Sequence, residues 1–154
     1  MRVRFLLVIF LAVLSVAARS QPEDPSLRKE IEAVYAKWDS LVAKRDIKGL
    51  WAMIDPSFVG VDLDGRAVPY AEGKEHFEQM MAQMQGIRSR IKVDHVYGDH
   101  REVCAWVTLH VTWEEKVNGR SVRREFSSKF AETLRWTGKG WRFTYSQMLP
   151  DFRP

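Results

Sequence analysis

Two glycine turns divide the last third of the chain into long runs of alternating apolar and polar residues. The first turn contains Asn118-Gly119, and the second spans 137–140. Asn-Gly between alternating runs favours a two-residue hairpin loop, because both central residues of a type I′ turn need positive φ. The pattern therefore predicts three consecutive antiparallel strands: Glu102–Val117, Arg120–Trp136 and Trp141–Leu149.

The segments before this meander predict helices and a short hairpin. An amphipathic helix is expected over Pro25–Lys44, with Asp24 as its N-cap and proline at the first helical position. A shorter helix follows Asp46 and ends before Asp55-Pro56, since a residue that precedes proline disfavours the α region. The remaining predicted elements are strands at 57–63 and 66–70, a helix at 72–84 and a strand at 89–97. Separate groups of helices and antiparallel strands are typical of the α+β class.

The first 20 residues have the composition of a secretory signal peptide. A basic start precedes an apolar run over 5–18, and small residues near Ser20 provide a cleavage site. A membrane anchor is the alternative, but the apolar run is shorter than the roughly 20 residues of a spanning helix. We expect an exported protein, periplasmic or secreted, that is cleaved near Ser20. A tether over 21–26 and a single domain over 27–150 would remain.

Cleavage would also change the charge of the chain. Of 24 basic side chains, three lie in residues 1–20, which leaves 21 against 20 acidic ones in place of a net charge of +4. This balance does not predict binding to nucleic acid. The single cysteine, Cys104, cannot form an internal disulfide, so we expect a fold held by packing, with Cys104 as a small buried residue.

The Asn-Gly turn also predicts the register of the two strands that it joins. A two-residue loop pairs Val117 with Arg120, and every other pair follows by counting. Apolar residues then lie opposite apolar residues on one face. Because a slip of one residue would invert that face, the agreement supports the register.

A row of polar side chains follows from the neighbouring strands. Pairing across the second turn places Glu132 opposite Tyr145, and alternation in the preceding strand places His95 beside Ala105. All four would share the face that the helices cover. A glycine bulge in the second turn would shift Tyr145 by one residue and remove it from the row.

This row has a structural and a functional interpretation. His95 and Tyr145 could satisfy a buried Glu132, since buried polar groups need partners. Alternatively, the row is the polar part of a small-molecule pocket. The catalytic candidates are then Glu132 or His95 as a base and Tyr145 as a hydrogen-bond donor to a developing oxyanion.

The opposite face of the sheet carries a large aromatic residue among polar ones. Trp106 and His110 lie on this face, which suggests a contact surface for a second subunit or another protein. The four histidines lack the spacing of a metal site. The sequence also contains no phosphate-binding glycine loop and no nucleophile elbow. We therefore expect no metal and no cofactor.

In this order of elements, the chain resembles the nuclear transport factor 2-like superfamily, in particular its SnoaL-like branch. The resemblance covers 27–147. It rests on the long first helix and on these segments: Asp46…Leu50-Trp51, Asp55-Pro56-Ser57-Phe58-Val59, Asp62-Leu63-Asp64-Gly65 and Gly138-Lys139-Gly140-Trp141-Arg142-Phe143 before Ser146-Gln147. It implies a cone-shaped, cystatin-like α+β barrel, in which three helices wrap a curved antiparallel sheet. A ligand cavity at the wide end and a homodimer through the outer sheet face are frequent in such proteins.

The resemblance leaves three functions open, because superfamily members include isomerases, cyclases, dehydratases and hydrolases as well as non-enzymatic modules. We expect an exported small-molecule-binding domain. The alternatives are a cofactor-independent enzyme that works by proton transfer, and a non-catalytic module for dimerisation or partner docking. Besides the polar row, the expected ligand-binding residues are Tyr35, Trp38, Phe58, Asp62, Tyr70 and Phe77.

Overall fold

The computed structural model describes residues 23–150, which form three helices and six strands. The helices are α1 (Pro25–Lys44), α2 (Ile47–Ala52) and α3 (Tyr70–Gln83). The strands are β1 (Ile54–Val61), β2 (Ala67–Pro69), β3 (Gln85–Gly98), β4 (Glu102–Val117), β5 (Arg120–Trp136) and β6 (Trp141–Leu149). The predicted signal peptide over 1–20 lies outside the described residues.

Helix α1 has the boundaries that the sequence predicts. Asp24 caps it by accepting hydrogen bonds from two backbone N–H groups of the first turn, and Pro25 occupies the first position. The helix ends at Lys44, and the following residue, Arg45, is its C-cap and has a left-handed backbone with φ of 55°. The Arg45 guanidinium donates to the carbonyls of Met81 and Met84, so the turn after α1 is tied to the end of α3.

The six strands form one curved sheet in the order β2-β1-β6-β5-β4-β3. The sheet is open, and β1 runs parallel to β6 while the other neighbours are antiparallel. The predicted α+β class, with a curved sheet and three helices, is confirmed. We call the face that the helices cover the inner face, and the opposite one the outer face.

The first hairpin has the predicted register along its whole length. Val117 pairs with Arg120, and Ala105 pairs with Glu132 further along the two strands. Asn118 and Gly119 have φ values of 50° and 80°, as a type I′ turn requires. The turn sequence therefore places Glu132 on the inner face at the middle of the sheet.

The second hairpin departs from prediction because Thr144 is an extra residue in β6. Beyond it, Tyr145 pairs with Thr133 and Ser146 pairs with Glu132. The Thr144 hydroxyl donates to the Thr133 carbonyl at 3.3 Å. The predicted pairing of Glu132 with Tyr145 is wrong, because this bulge moves Tyr145 to the outer face.

A second bulge changes the register of β3 in the same way. Asp94 is the extra residue, and its carboxylate accepts a hydrogen bond from the Thr108 hydroxyl at 2.6 Å. Val96 therefore pairs with Ala105, and His95 lies on the outer face. The predicted position of His95 beside Ala105 is wrong.

The main core lies between α1 and the inner face of the sheet, and a smaller cluster lies under α2 and α3. Burial of one leucine or isoleucine side chain stabilises a fold by about 1.5–3 kcal/mol, so these contacts dominate the stability. The largest fully buried side chains are Ile31, Tyr35, Leu50, Met81, Val103, Val107 and Leu134.

Side chains from the first helical segment occupy the free edge of β3. This strand pairs only with β4, so its other edge would present unpaired backbone groups. Three polar side chains satisfy part of that edge: Asp39 accepts from the Ile91 N–H (2.9 Å), Glu23 accepts from the Val96 N–H (2.8 Å), and Arg28 donates to the Val93 carbonyl (2.6 Å).

Candidate functional site

A cavity of about 270 Å³ lies between the helices and the inner face of the sheet. Its size is near the lower limit of about 300–1,000 Å³ that is usual for small-molecule sites. The helix wall consists of Tyr35, Trp38, Trp51, Tyr70, Gly73, Lys74 and Phe77. The sheet wall consists of Ile54, Phe58, Ile91, Val107, Leu109, Phe130, Glu132, Phe143 and Ser146. The lining is therefore apolar and largely aromatic, with few polar groups.

Edge-to-face packing holds the aromatic side chains of this cavity in place. The Trp38 ring lies 5.4 Å from Phe143, and the Trp51 ring lies 5.5 Å from Phe77 and 5.8 Å from Tyr70. Such tilted pairs contribute about 0.5–1.5 kcal/mol each beyond the burial of their area. The cavity thus has a preformed aromatic wall, because the three helices fix these rings against one another and against the sheet.

Glu132 is the carboxyl group of the sheet wall, and both of its oxygens are hydrogen-bonded. The Tyr35 hydroxyl donates to Oε2 at 2.7 Å, and the Ser146 hydroxyl donates to Oε1 at 2.9 Å. Tyr35 is only 1% exposed, whereas Glu132 is partly accessible from the cavity that it lines. The carboxyl is therefore held in one orientation and can still contact a ligand.

The surroundings of Glu132 change the acidity of both partners in the pair. Burial raises the pKa of Glu132 above its usual value, and the hydrogen bonds from Tyr35 and Ser146 only partly oppose this shift. Burial and the neighbouring carboxylate raise the pKa of Tyr35 well above its usual value, so its hydroxyl remains a donor. A raised pKa makes the carboxylate a stronger base, which suits a group that accepts a proton and returns it.

The structure brings six of the predicted site residues together. They line the cavity as expected from the helical periodicity and the strand register, although their roles in binding or catalysis stay predictions. These residues are Tyr35, Trp38, Phe58, Tyr70, Phe77 and Glu132.

Three predicted site residues lie elsewhere. The two bulges place His95 and Tyr145 on the outer face, where the Tyr145 hydroxyl donates to Gln147 at 3.0 Å. Asp62 lies in the turn after β1, and its carboxylate binds the backbone N–H and the guanidinium of Arg66. These local hydrogen bonds, led by the one from the Arg66 backbone, lower the pKa of Asp62. Its polar contacts are therefore satisfied within the turn.

Three of the cavity residues that sequence reasoning missed carry a polar group: Ser146, Trp51 and Lys74. Ser146 takes the position predicted for Tyr145, and only the bulge at Thr144 puts it there. Lys74 could have been predicted from the sequence, because it lies three residues before Phe77 and therefore shares its helix face.

The outer face presents three aromatic rings in mutual contact, which we call the outer aromatic cluster: His95 and Tyr97 are stacked, and Trp106 packs edge-to-face against both. The rings lie 6.0–6.2 Å apart, and the side chains of Tyr97 and Trp106 are 52% and 46% exposed. His110 is also exposed on this face, between Arg90 and Ser127 of the neighbouring strands. An exposed aromatic patch of this kind is typical of a contact surface.

Metal-binding clusters and membrane-spanning helices are two further features that would indicate a function. Within residues 23–150, no group of three histidine, cysteine or carboxylate side chains could hold a metal ion. None of the three helices in this range is long and apolar enough to cross a membrane.

An open curved sheet with three helices and a cavity on the helix side is the architecture of a nuclear transport factor 2-like protein. The sequence profile of the SnoaL-like domain matches residues 31–148. The chain therefore belongs to the SnoaL-like domain family, and the resemblance expected from the sequence is confirmed. No curated protein matches the chain at a significant level.

Solved structures with low sequence identity share this fold. A conserved protein from Planctomyces limnophilus is 16% identical, with a TM-score of 0.68 over 81% of this chain and 98% of that one. A nuclear transport factor 2-like protein from Salmonella enterica is 14% identical, with a TM-score of 0.65 over 83% and 93%. A candidate scytalone dehydratase from Novosphingobium aromaticivorans is 9% identical, with a TM-score of 0.68 over 84% and 89%. At these identities the likeness concerns the fold alone.

Proposed function

We propose that this protein binds a small, largely apolar molecule in the cavity between its helices and its sheet. The observation that carries the proposal is a preformed aromatic lining around one oriented carboxyl group, Glu132. Apolar cavities with a few convergent polar groups are the usual form of small-molecule sites. The ligand would bury its ring or chain against Trp38, Trp51 and Phe130 and present a polar atom to Glu132.

Two measurements test this proposal. Native mass spectrometry of the purified protein should reveal a co-purified small molecule that denaturation releases. The neutral dye N-phenylnaphthylamine should bind with increased fluorescence, and Gly73→Phe should weaken binding by at least about tenfold because its ring enters the cavity. Dye binding that is absent, or unchanged in the folded Gly73→Phe variant, would contradict the proposal.

A second function, proton-transfer catalysis, is favoured by the raised pKa of Glu132. In this role Glu132 would take a proton from a C–H or O–H group of the ligand and return it to another position. The Tyr35 and Ser146 hydroxyls would stabilise the Glu132 carboxylate before the first step and after the second, and Tyr35 would stay neutral.

Hydrogen exchange tests the catalytic role even while the overall reaction is unidentified. A ligand identified by mass spectrometry should gain deuterium at a carbon atom from deuterated water in the presence of the wild type. Glu132→Gln should slow this exchange by about a hundredfold or more, because a positioned base contributes about 10²–10⁴ in rate. Equal exchange in the folded Gln variant would eliminate Glu132 as the base.

We also propose export and dimerisation for this protein. The composition of residues 1–20 supports cleavage near Ser20. The exposed outer aromatic cluster supports self-association through the outer face. The mass of the protein recovered outside the cytoplasm should correspond to a chain that begins at Gln21; an uncleaved N-terminus would contradict export by this route.

A further inference from the structure

Lys74 is a cationic group in the otherwise apolar helix wall of the cavity. It is partly buried, and its ammonium lies 5.6 Å from the centre of the Trp51 ring. Contact with an aromatic face stabilises such a cation by about 0.5–1 kcal/mol at an exposed site, which is less than a carboxylate partner can provide when the site is desolvated. The aromatic contact therefore holds the ammonium beside Trp51, another residue of the cavity wall, and leaves its donors available to a ligand.

The acidic residues near Lys74 along α3 have other partners. In residues 23–150, Lys74 forms no ion pair within 4.0 Å. The neighbouring carboxylates are engaged as follows: Glu72 with Arg66 (2.9 Å), Glu75 with Gln79 (3.2 Å) and Glu78 with the Trp51 indole (2.7 Å). Glu78 is the residue one helical turn later that would ordinarily pair with Lys74. Instead of pairing with Lys74, the Glu78 carboxylate accepts the hydrogen bond from the Trp51 indole.

We infer that Lys74 selects organic monoanions: ligands with an apolar ring body and one carboxylate or sulfonate group. This inference rests on the proposed function of the same cavity. An anionic group would form a charge-assisted hydrogen bond with the Lys74 ammonium, in surroundings of low dielectric that strengthen it. Glu132 lies on the opposite wall and would repel a second negative group, so the other end of the ligand is uncharged.

Two dyes of the same ring skeleton test the charge preference. Anilinonaphthalene sulfonate carries one negative charge, and N-phenylnaphthylamine is neutral. In Lys74→Met, the Kd of the sulfonate should rise about tenfold, the equivalent of about 1.4 kcal/mol, while the Kd of the neutral dye should change less than about twofold. Lys29→Met, an exposed lysine of α1 outside the cavity, is the matched control and should change neither value. Competition by naphthoate, a carboxylate, and by the neutral naphthalenemethanol repeats the comparison. Lys74→Met should weaken competition by naphthoate only.

Salt dependence provides a second readout of the same contact. Added salt should weaken sulfonate binding to the wild type and have little effect in Lys74→Met, since screening acts on the charge pair. An unchanged ratio of the two dye affinities in Lys74→Met would overturn the inference while the cavity still binds the neutral dye. Failure of both dyes to bind the wild type would instead overturn the proposed function itself.

Discussion

The inner and outer faces of the sheet differ more than the alternation of their sequences suggests. The inner face is apolar around Glu132, whereas the outer face carries the outer aromatic cluster and Tyr145. Without the extra residues Asp94 and Thr144, His95 and Tyr145 would have stayed on the inner face beside Glu132. The two bulges move one polar residue each from the cavity side to the opposite side. As a result, Glu132 is paired by Tyr35 and Ser146, which donate to it without adding charge.

The largest difference between the faces should be in stability. Leu134 is fully buried on the inner face, and the neighbouring Thr133 lies on the outer face. Leu134→Ala should lower the free energy of unfolding by about 2–5 kcal/mol, because it leaves a cavity in the core. Thr133→Ala should lower it by less than about 1 kcal/mol. Urea denaturation of both variants measures the contrast, and equal losses would show that the faces are not energetically distinct.

The outer face should matter for association more than for folding. Trp106→Glu should shift the protein from dimer to monomer in sedimentation, since an aromatic residue at the centre of an interface contributes about 2 kcal/mol or more. Trp136 provides a matched control, because its side chain is 45% exposed against 46% for Trp106 but it lies at the end of β5. Trp136→Glu should leave the dimer intact. A wild type that sediments as a monomer would count against the interface.

The pH dependence of stability should distinguish the cavity carboxyl, Glu132, from a carboxyl on the outer face. Because burial raises the pKa of Glu132, the folded state binds more protons than the unfolded state between the usual and the raised value. The free energy of unfolding of the wild type should therefore fall relative to Glu132→Gln as the pH rises from about 4 to neutrality. Glu125→Gln, on the outer face of the same strand, should follow the wild type throughout. A wild type that instead gains stability relative to Glu132→Gln as the pH rises would contradict the assigned direction.

The smallest effect should come from the helix that covers the inner face. Gly73 lies within α3, and an added Cβ would meet only Val68 at an ordinary contact distance of 3.6 Å. Gly73→Ala should raise the free energy of unfolding by about 0.5–1 kcal/mol, since alanine favours the helix. Gly49→Ala should lower the free energy of unfolding, because the added Cβ would lie 2.6 Å from the Asp46 carboxylate. Thermal unfolding should show a higher Tm for Gly73→Ala and a lower Tm for Gly49→Ala than for the wild type.

Local sequence determined the parts of the fold that could be predicted. The Asn118-Gly119 turn sets the pairing of its two strands through backbone angles alone, so the position of Glu132 followed from counting. Helical periodicity likewise placed Tyr35, Trp38 and Phe77 in the cavity wall. In both cases, residues close together in the sequence set the backbone conformation, and that conformation fixes which face each side chain occupies.

The bulges could not be predicted in this way. Asp94 and Thr144 fit the alternating pattern, and their side chains bond to residues of adjacent strands: the Thr108 hydroxyl and the Thr133 carbonyl. Such contacts exist only once the strands are assembled, so the sequence gives no local sign of them. A single extra residue inverts the faces of all residues beyond it, which explains why both His95 and Tyr145 were misplaced.

The side-chain hydrogen bonds along the edge of β3 limit the ways in which copies of this protein can associate. With Glu23, Arg28 and Asp39 occupying that edge, another strand cannot add to it, and the opposite edge strand, β2, has only three residues. These features disfavour self-association by extension of the sheet. Glu23 lies only three residues after Ser20, so proteolytic trimming past it would leave the Val96 N–H without this partner and weaken the protection of the β3 edge against strand addition.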